Sequence, residues 1–327
     1  MATESLSVQQ AYDLLQPLWN DVNLADNFPT QRPLVAHYTS ISTLERIMRN
    51  DEVWFSNPLF MNDLEEVKVD VVNGSNAFRQ SQAVRDACKS PERHAELLRT
   101  FNGFYERFDY KHAFDTYVFC FSKHEPSDID GLLSMWRGYG ANGNGAAIVF
   151  DLSKVNFVPT GSPLVISKVS YEPREKRDAW IQKKLSEFAN LLSTNEIPTD
   201  KLGIAAYQFF DRLKLFALFT KHHGFSEENE WRVVYLPDRD GDERLKSMLH
   251  YSVGKNGIEP KLKFKVAPIQ GLTAPDLSLE KIVDRIILGP TQSNYFARSA
   301  VIRMLEMVGK NDLAKRVFAS GTPFRPL

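Results

Sequence analysis

Cysteine is nearly absent from this chain: Cys88 and Cys120 are the only two in 327 residues. Two isolated thiols without CxxC spacing argue against a disulfide framework, a cysteine-ligated zinc site and a dithiol redox motif. Neither sign of charge is in excess, since 40 basic side chains face 41 acidic ones and the formal net charge is -1. The chain as a whole therefore exerts no pull toward nucleic acid or an anionic membrane, although a local basic patch stays open. No apolar run approaches the ~20 residues that span a bilayer. The first residues, Met1 to Leu6, lack the basic and apolar regions of a signal peptide, so a cytoplasmic location is expected. GxSxG, Walker and kinase signatures are also missing.

Enough apolar material is present to build a core. Hydrophobic residues make up 43% and charged residues 25%, close to the soluble globular average. The length admits one large domain or two modest ones. Apolar spacing at 6–20 predicts an opening helix, and Pro29 and Pro33 interrupt the chain beyond it. Short strands are expected at 34–38, 53–56, 117–122, 146–152, 165–171, 230–236, 262–267 and 282–288. Ser40 or Ser42 can cap a helix over 43–49. Residues 63–112 and 174–221 read as two helical sections, 130–137 as a short helix, and 296–308 as a late one, with a short tail at 317–323. There is no regular βαβ alternation, internal repeat or low-complexity linker. These patterns predict a single α+β domain over 1–327 with helical insertions, not a doubly wound sheet.

The polar residues that draw notice sit on the short strands. Alternate side chains of a strand share a face, which puts Glu228, Glu230 and Arg232 together, with Trp231, Val233 and Tyr235 behind them. Two carboxylates and a guanidinium opening an apolar strand are costly unless they pair or perform work. On its own the run reads as an edge ion pair. His37 shares a face with Val35 and Thr39, and a His–Thr pair at a strand end can bind a sugar hydroxyl or an amide. A lone strand histidine is more often structural. Trp54, Phe55 and Ser56 offer aromatic platforms before a turn, and Asn62 and Asp63 could cap the next helix.

Three other features carry less. The stretch 138–145 contains GxGxxG, but a helix precedes it and a strand comes after it, the reverse of a dinucleotide fold. A flexible loop is the simpler reading, with backbone amides lining a ligand pocket as the alternative. His222 and His223 have no partner at metal-ligand spacing, so no metal is expected. A Cys–His nucleophile built on Cys120 stays open, although its place mid-strand between phenylalanines favours an inert buried thiol.

The order of these signals is more telling than any one of them. It runs from 37–40 through 55–58 with 62–63, then 120–122, Met135-Trp136 with Tyr139, Gly145 leading into Phe150-Asp151, 230–232, 287–290 and 323–325. The series resembles a widespread bacterial family of unknown function, catalogued as number twenty-nine seventy-one, over roughly residues 34–325. It is more distantly similar to ADP-ribosyltransferases with a His-Tyr-Glu triad. There, His37 and Thr39 match the first motif, Trp54-Phe55-Ser56 the aromatic strand, and Glu230 the closing glutamate. Glu228-Asn229-Glu230 also resembles the Glu-x-Glu element of arginine-modifying members, and Phe121-Ser122 their serine strand. The second-strand aromatic is Trp54 or Phe55 where the family has Tyr.

The resemblance implies split mixed β-sheets of ADP-ribosyltransferase type and NAD as substrate. Cleavage of the nicotinamide–ribose bond passes through an oxocarbenium-like state, which a carboxylate beneath the ribose stabilises. Glu230 would be that carboxylate, and Glu228 would orient or deprotonate the acceptor. His37 and Thr39 would hold the adenine-side ribose, with Trp54 or Phe55 facing the nicotinamide and Ser56 also among the NAD-binding residues. Arg232 would set the carboxylate or meet a pyrophosphate oxygen. The acceptor would be an unknown protein or nucleic acid, as for a bacterial toxin or phage-defence effector. The competing expectations are a non-catalytic nucleotide-sensing or protein-interaction module, and a nuclease or hydrolase using His37 with Glu228 and Glu230.

Overall fold

A computed structural model of the chain describes residues 6–22, 32–61, 64–155, 162–254 and 257–324. The alternating runs become strands: β1 (Leu34–Ser40), β2 (Glu52–Ser56), β3 (Tyr117–His124), β4 (Gly145–Asp151), β5 (Leu164–Lys168) and β6 (Ser170–Tyr171). They continue with β7 (Thr220–Lys221), β8 (Glu230–Tyr235), β9 (Leu249–Gly254), β10 (Gly257–Lys265), β11 (Val283–Leu288) and β12 (Val317–Ala319). The helical sections hold Leu64–Gln80, Gln82–Ala87, Pro91–Arg107, Arg174–Thr194 and Leu202–Leu218. The chain is mixed α+β. Ser40 is the cap of Ile41–Asn50, its hydroxyl accepting from the Thr43 N–H at 3.1 Å. Asn62 and Asp63, expected as caps, and Pro29, expected as a breaker, lie outside the described residues. No described helix is long and apolar enough to cross a membrane.

The chain divides into two compact units, each assembled from three segments. The first comprises Met1–Asn27, Pro58–Asp115 and Ser170–Phe225, and so gathers the helical sections. Its interior is aromatic: Phe78 stacks on Phe101 with centroids 4.0 Å apart, and Phe188 and Phe209 close the group. The short pair β6–β7 belongs to it. The second unit, Phe28–Asn57, Thr116–Val169 and Ser226–Leu327, holds the large sheet.

That sheet has ten strands in the order β12-β11-β4-β1-β3-β2-β10-β9, with β8 added to β3 and β5 to β8. It is mixed, because β11 and β12 run parallel while β1–β4, β3–β8 and β2–β10 are antiparallel. One face carries Val35, Phe55, Phe119, Phe121, Trp231 and Val233 into the main core, which Leu44, Ile47 and Met48 of the helix Ile41–Asn50 complete. The other face starts with Ala36 and Tyr38, packed under Met135 and Trp136 of the helix Leu133–Gly138. Burial pushes the Tyr38 hydroxyl up to about 12, and that oxygen accepts the Leu132 N–H at 2.8 Å.

The sheet branches at β3. Along one edge β3 meets β2 at Ser56↔Val118 and β1 at Ala36↔Ser122, while β8 runs along the opposite edge from Tyr117 to Ser122. The Lys123 N–H bonds to the Asn229 carbonyl on the β8 side. Strand alternation then turns the carbonyl of Cys120 toward the gap between β1 and β2.

An apolar cavity of about 60 Å³ lies on the core face, lined by Phe55, Phe119, Phe121, Ile166, Val233 and Phe264 among others. Val233→Ile adds one methylene there and is expected to stabilise the protein by about 1 kcal/mol. The readout is the denaturation midpoint at constant m; a lowered midpoint would mean the walls cannot accept the group.

Candidate functional site

Register sorts the expected site residues between the two faces of the sheet. Residues directly opposite on paired strands share a face, so Ser122↔Glu230, Cys120↔Arg232 and Ser167↔Arg232 lie together. Ser56↔Val118 places Ser56 and Trp54 on this same face. Val35, Phe55 and Phe119 belong to the opposite, core face, and alternation along β1 adds His37 and Thr39 to them. The structure thus brings Glu230, Arg232, Ser56 and Trp54 to one face and His37, Thr39 and Phe55 to the other. His37 and Glu230 do not converge on a single cleft.

His37 occupies the branch. Its ring lies 4.4 Å from that of Phe119, and its Nδ1 is 3.0 Å from the Cys120 carbonyl. A carbonyl can only accept, so Nδ1 carries the proton and Nε2 presents a bare lone pair. The imidazole N–H thereby takes the place of a backbone donor where β1 has left β3 and β2 has not yet joined it. Burial pulls the His37 pKa down to about 4, against the raising effect of the Cys120 bond. Thr39 is buried opposite Ala146 of β4. Phe55 is 2% exposed and stacks on Phe119 at 5.4 Å, so its ring is committed to the core.

On the other face Arg232 grips Glu230 with two parallel bonds, Nε to Oε1 at 2.7 Å and a terminal nitrogen to Oε2 at 3.0 Å. Both residues are buried, at 3% and 4% exposure. Glu228 departs from the expected alternation. It ends the 3-10 segment His223–Glu228, and Asn229 turns the chain with φ 41° before β8 begins at Glu230. Its backbone carbonyl accepts the Ser122 hydroxyl at 2.7 Å, and its Oε1 accepts the Tyr139 hydroxyl at 2.9 Å. Ser122, Glu228 and Tyr139 thus form one hydrogen-bonded chain, and register sets Ser122 opposite Glu230 of the Glu230–Arg232 pair.

Tyr139 was not among the expected site residues. It comes just after the helix Leu133–Gly138, within the glycine-rich stretch, and its ring is 45% exposed. The only signal in the sequence was its place in the ordered series. The loop itself is a tight turn with Ala141, Asn142 and Gly143 in the left-handed region. Gly143 donates to the Trp136 carbonyl and accepts from the Thr291 N–H, each at 3.1 Å. A Cβ on Gly145 would stand 2.1 Å from the Thr39 carbonyl oxygen, which explains the glycine there. The N–H groups of Tyr139, Gly140 and Gly143 bond back to the helix, while the Gly143 and Gly145 carbonyls accept from Thr291 and Gly289 just after β11.

Trp54 lies toward β10, beside cations and away from the Glu230 group. Lys261 donates to the Ser56 hydroxyl at 2.9 Å. Cys120 is half-buried opposite Arg232 in the ladder, and its sulfur is a thiol outside any disulfide. Among the described residues no three His, Cys, Asp or Glu side chains gather in a way that could hold a metal ion.

No curated protein and no solved structure matches the chain. A family match covers residues 135–233, from the helix under Tyr38 to the middle of β8, and leaves out His37, Thr39 and 54–56. The stretch that carries Tyr139, Glu228, Glu230 and Arg232 is similar to a family described as Protein of unknown function (DUF2971).

Proposed function

We propose that the chain is an NAD-consuming enzyme of ADP-ribosyltransferase type that cleaves the nicotinamide–ribose bond at the Glu228–Glu230 element. The observation that carries this reading is the register Ser122↔Glu230, which sets the buried Glu230–Arg232 pair next to the strand that holds the Ser122–Glu228–Tyr139 chain of hydrogen bonds. As nicotinamide leaves with the bonding pair, positive charge grows on the ribose, and Glu230 stabilises it. The bidentate guanidinium fixes the plane of that carboxylate in advance, so no reorganisation is needed at the moment of reaction. Tyr139, not Trp54 or Phe55, faces the nicotinamide in this reading. Glu228, held by the Tyr139 hydroxyl, accepts the proton of the attacking acceptor or water. His37 and Thr39 act at a distance, by holding β1 against β3 and β4.

The test is nicotinamide release from NAD by purified full-length protein, alone and with cell lysate as acceptor source. Glu230→Gln keeps the size and one of the two bonds from Arg232 but removes the charge, and is expected to lower the rate at least about 100-fold. Wild-type protein that neither binds nor consumes NAD under any of these conditions sinks the reading. A second reading rests on the closed Glu230–Arg232 pair, whose charges already satisfy each other: a nucleotide-sensing module without turnover. It predicts a rise in melting temperature with NAD that Glu230→Gln retains, and no nicotinamide.

A further inference from the structure

We propose that the β2–β10 surface on the Glu230 face binds single-stranded nucleic acid, with Trp54 as a base-stacking platform and the lysines of β10 as phosphate contacts. This role is independent of NAD chemistry. In β10, Leu262 and Phe264 are buried in the core, so alternation forces Lys261, Lys263 and Lys265 to the opposite face. Register sets them against Ser56, Trp54 and Glu52 of β2. Lys263 Nζ stands 4.7 Å and the Arg46 guanidinium 5.6 Å from the centre of the half-buried Trp54 indole. Neither Arg46 nor Lys263 has a carboxylate partner among the described residues, whereas Lys261 pairs with Glu259 at 3.0 Å and Trp54 Nε1 leans on Glu52 at 3.4 Å. Four cations against two carboxylates leave the patch positive in a chain whose net charge is -1.

The pattern favours a nucleic-acid strand over other anions. Lysines on every second residue of a strand are about 7 Å apart, comparable to the step between phosphates of an extended single strand. Lys263 and Arg46 lie over the indole on long stems; as they turn outward to phosphates the ring is free to take the π-face of a base, and only an unpaired base can reach it. An acidic peptide would use the lysines but gain little from the indole.

The experiment is fluorescence anisotropy of full-length protein with labelled oligo-dT and oligo-rU over a salt series. Three phosphate contacts predict a slope of log K against log salt of about -2. Lys263→Ala should flatten that slope by about 0.7, and Trp54→Ala should weaken binding at least about tenfold with the slope unchanged. Circular dichroism and melting temperature establish that both surface variants are folded. Absence of oligonucleotide binding overturns the proposal. So does equal affinity for duplex, or for heparin and polyglutamate with no effect of Trp54→Ala, since the patch would then be a general anion surface.

Discussion

Arg232→Ala is expected to destabilise the protein by about 3–5 kcal/mol, more than Glu230→Gln does. The pair is buried, and the guanidinium makes two bonds to the same carboxylate. Removing it leaves a charged carboxylate in a site that water cannot enter freely, and the attraction that offset its desolvation is lost. Removing the charge of Glu230 instead leaves a neutral amide that still bonds to Arg232. The doubly substituted Glu230→Gln/Arg232→Met protein should recover most of the loss, because neither charge then remains to be desolvated. Denaturation followed by tryptophan fluorescence, with Trp231 next in the strand, gives the three values. Additive effects of the two substitutions would show that the pair is not energetically coupled.

The second large effect is a pH dependence that belongs to His37. Its folded pKa is about 4 against an ordinary 6.5, because burial opposes the charged ring. Above pH 6.5 the ring is neutral in both states, and folding is indifferent to it. As pH falls from 6.5 to 4 the unfolded chain takes up a proton that the folded protein refuses, so stability is lost across that window. Below about 4 both states are protonated and the loss levels off. The full difference amounts to roughly 3 kcal/mol. His37→Gln keeps a donor for the Cys120 carbonyl but cannot titrate. The gap in unfolding free energy between wild type and variant should therefore shrink or reverse between pH 6.5 and 4. A gap that stays constant with pH would mean that the ring is reached by water in the folded state.

Most strands could be read from the chain because each is an uninterrupted apolar or alternating run. Tyr117-Val118-Phe119-Cys120-Phe121 becomes β3 and Ala146-Ala147-Ile148-Val149-Phe150 becomes most of β4. β9 was not legible, since Leu249-His250-Tyr251-Ser252-Val253-Gly254 is polar on one face and its other face is exposed at Tyr251 and Val253. Alternation within a strand correctly paired Glu230 with Arg232. It gave no information on which face of β1 meets which face of β8, because register is set by neighbours far away in the chain. That is why His37 and Glu230 could be taken as partners in the sequence and yet part across the sheet. Glu228 was lost to one backbone angle, the left-handed turn at Asn229. Tyr139 reaches the site through a loop, and loop geometry leaves no periodic trace.

The branch at β3 also constrains how the chain can reach its native state. A ribosome emits Tyr117-Val118-Phe119-Cys120-Phe121 long before the strand that covers its far edge, since the Ser122 hydroxyl finds its acceptor 106 residues downstream. β2 likewise waits for β10, with 205 residues separating Ser56 from Lys261. Nascent chains therefore expose an open edge on apolar β3 and another on β2 for much of synthesis, a situation that favours association between chains over closure within one. Slowed translation or a holdase that masks this segment should raise the yield of native protein without altering its final stability.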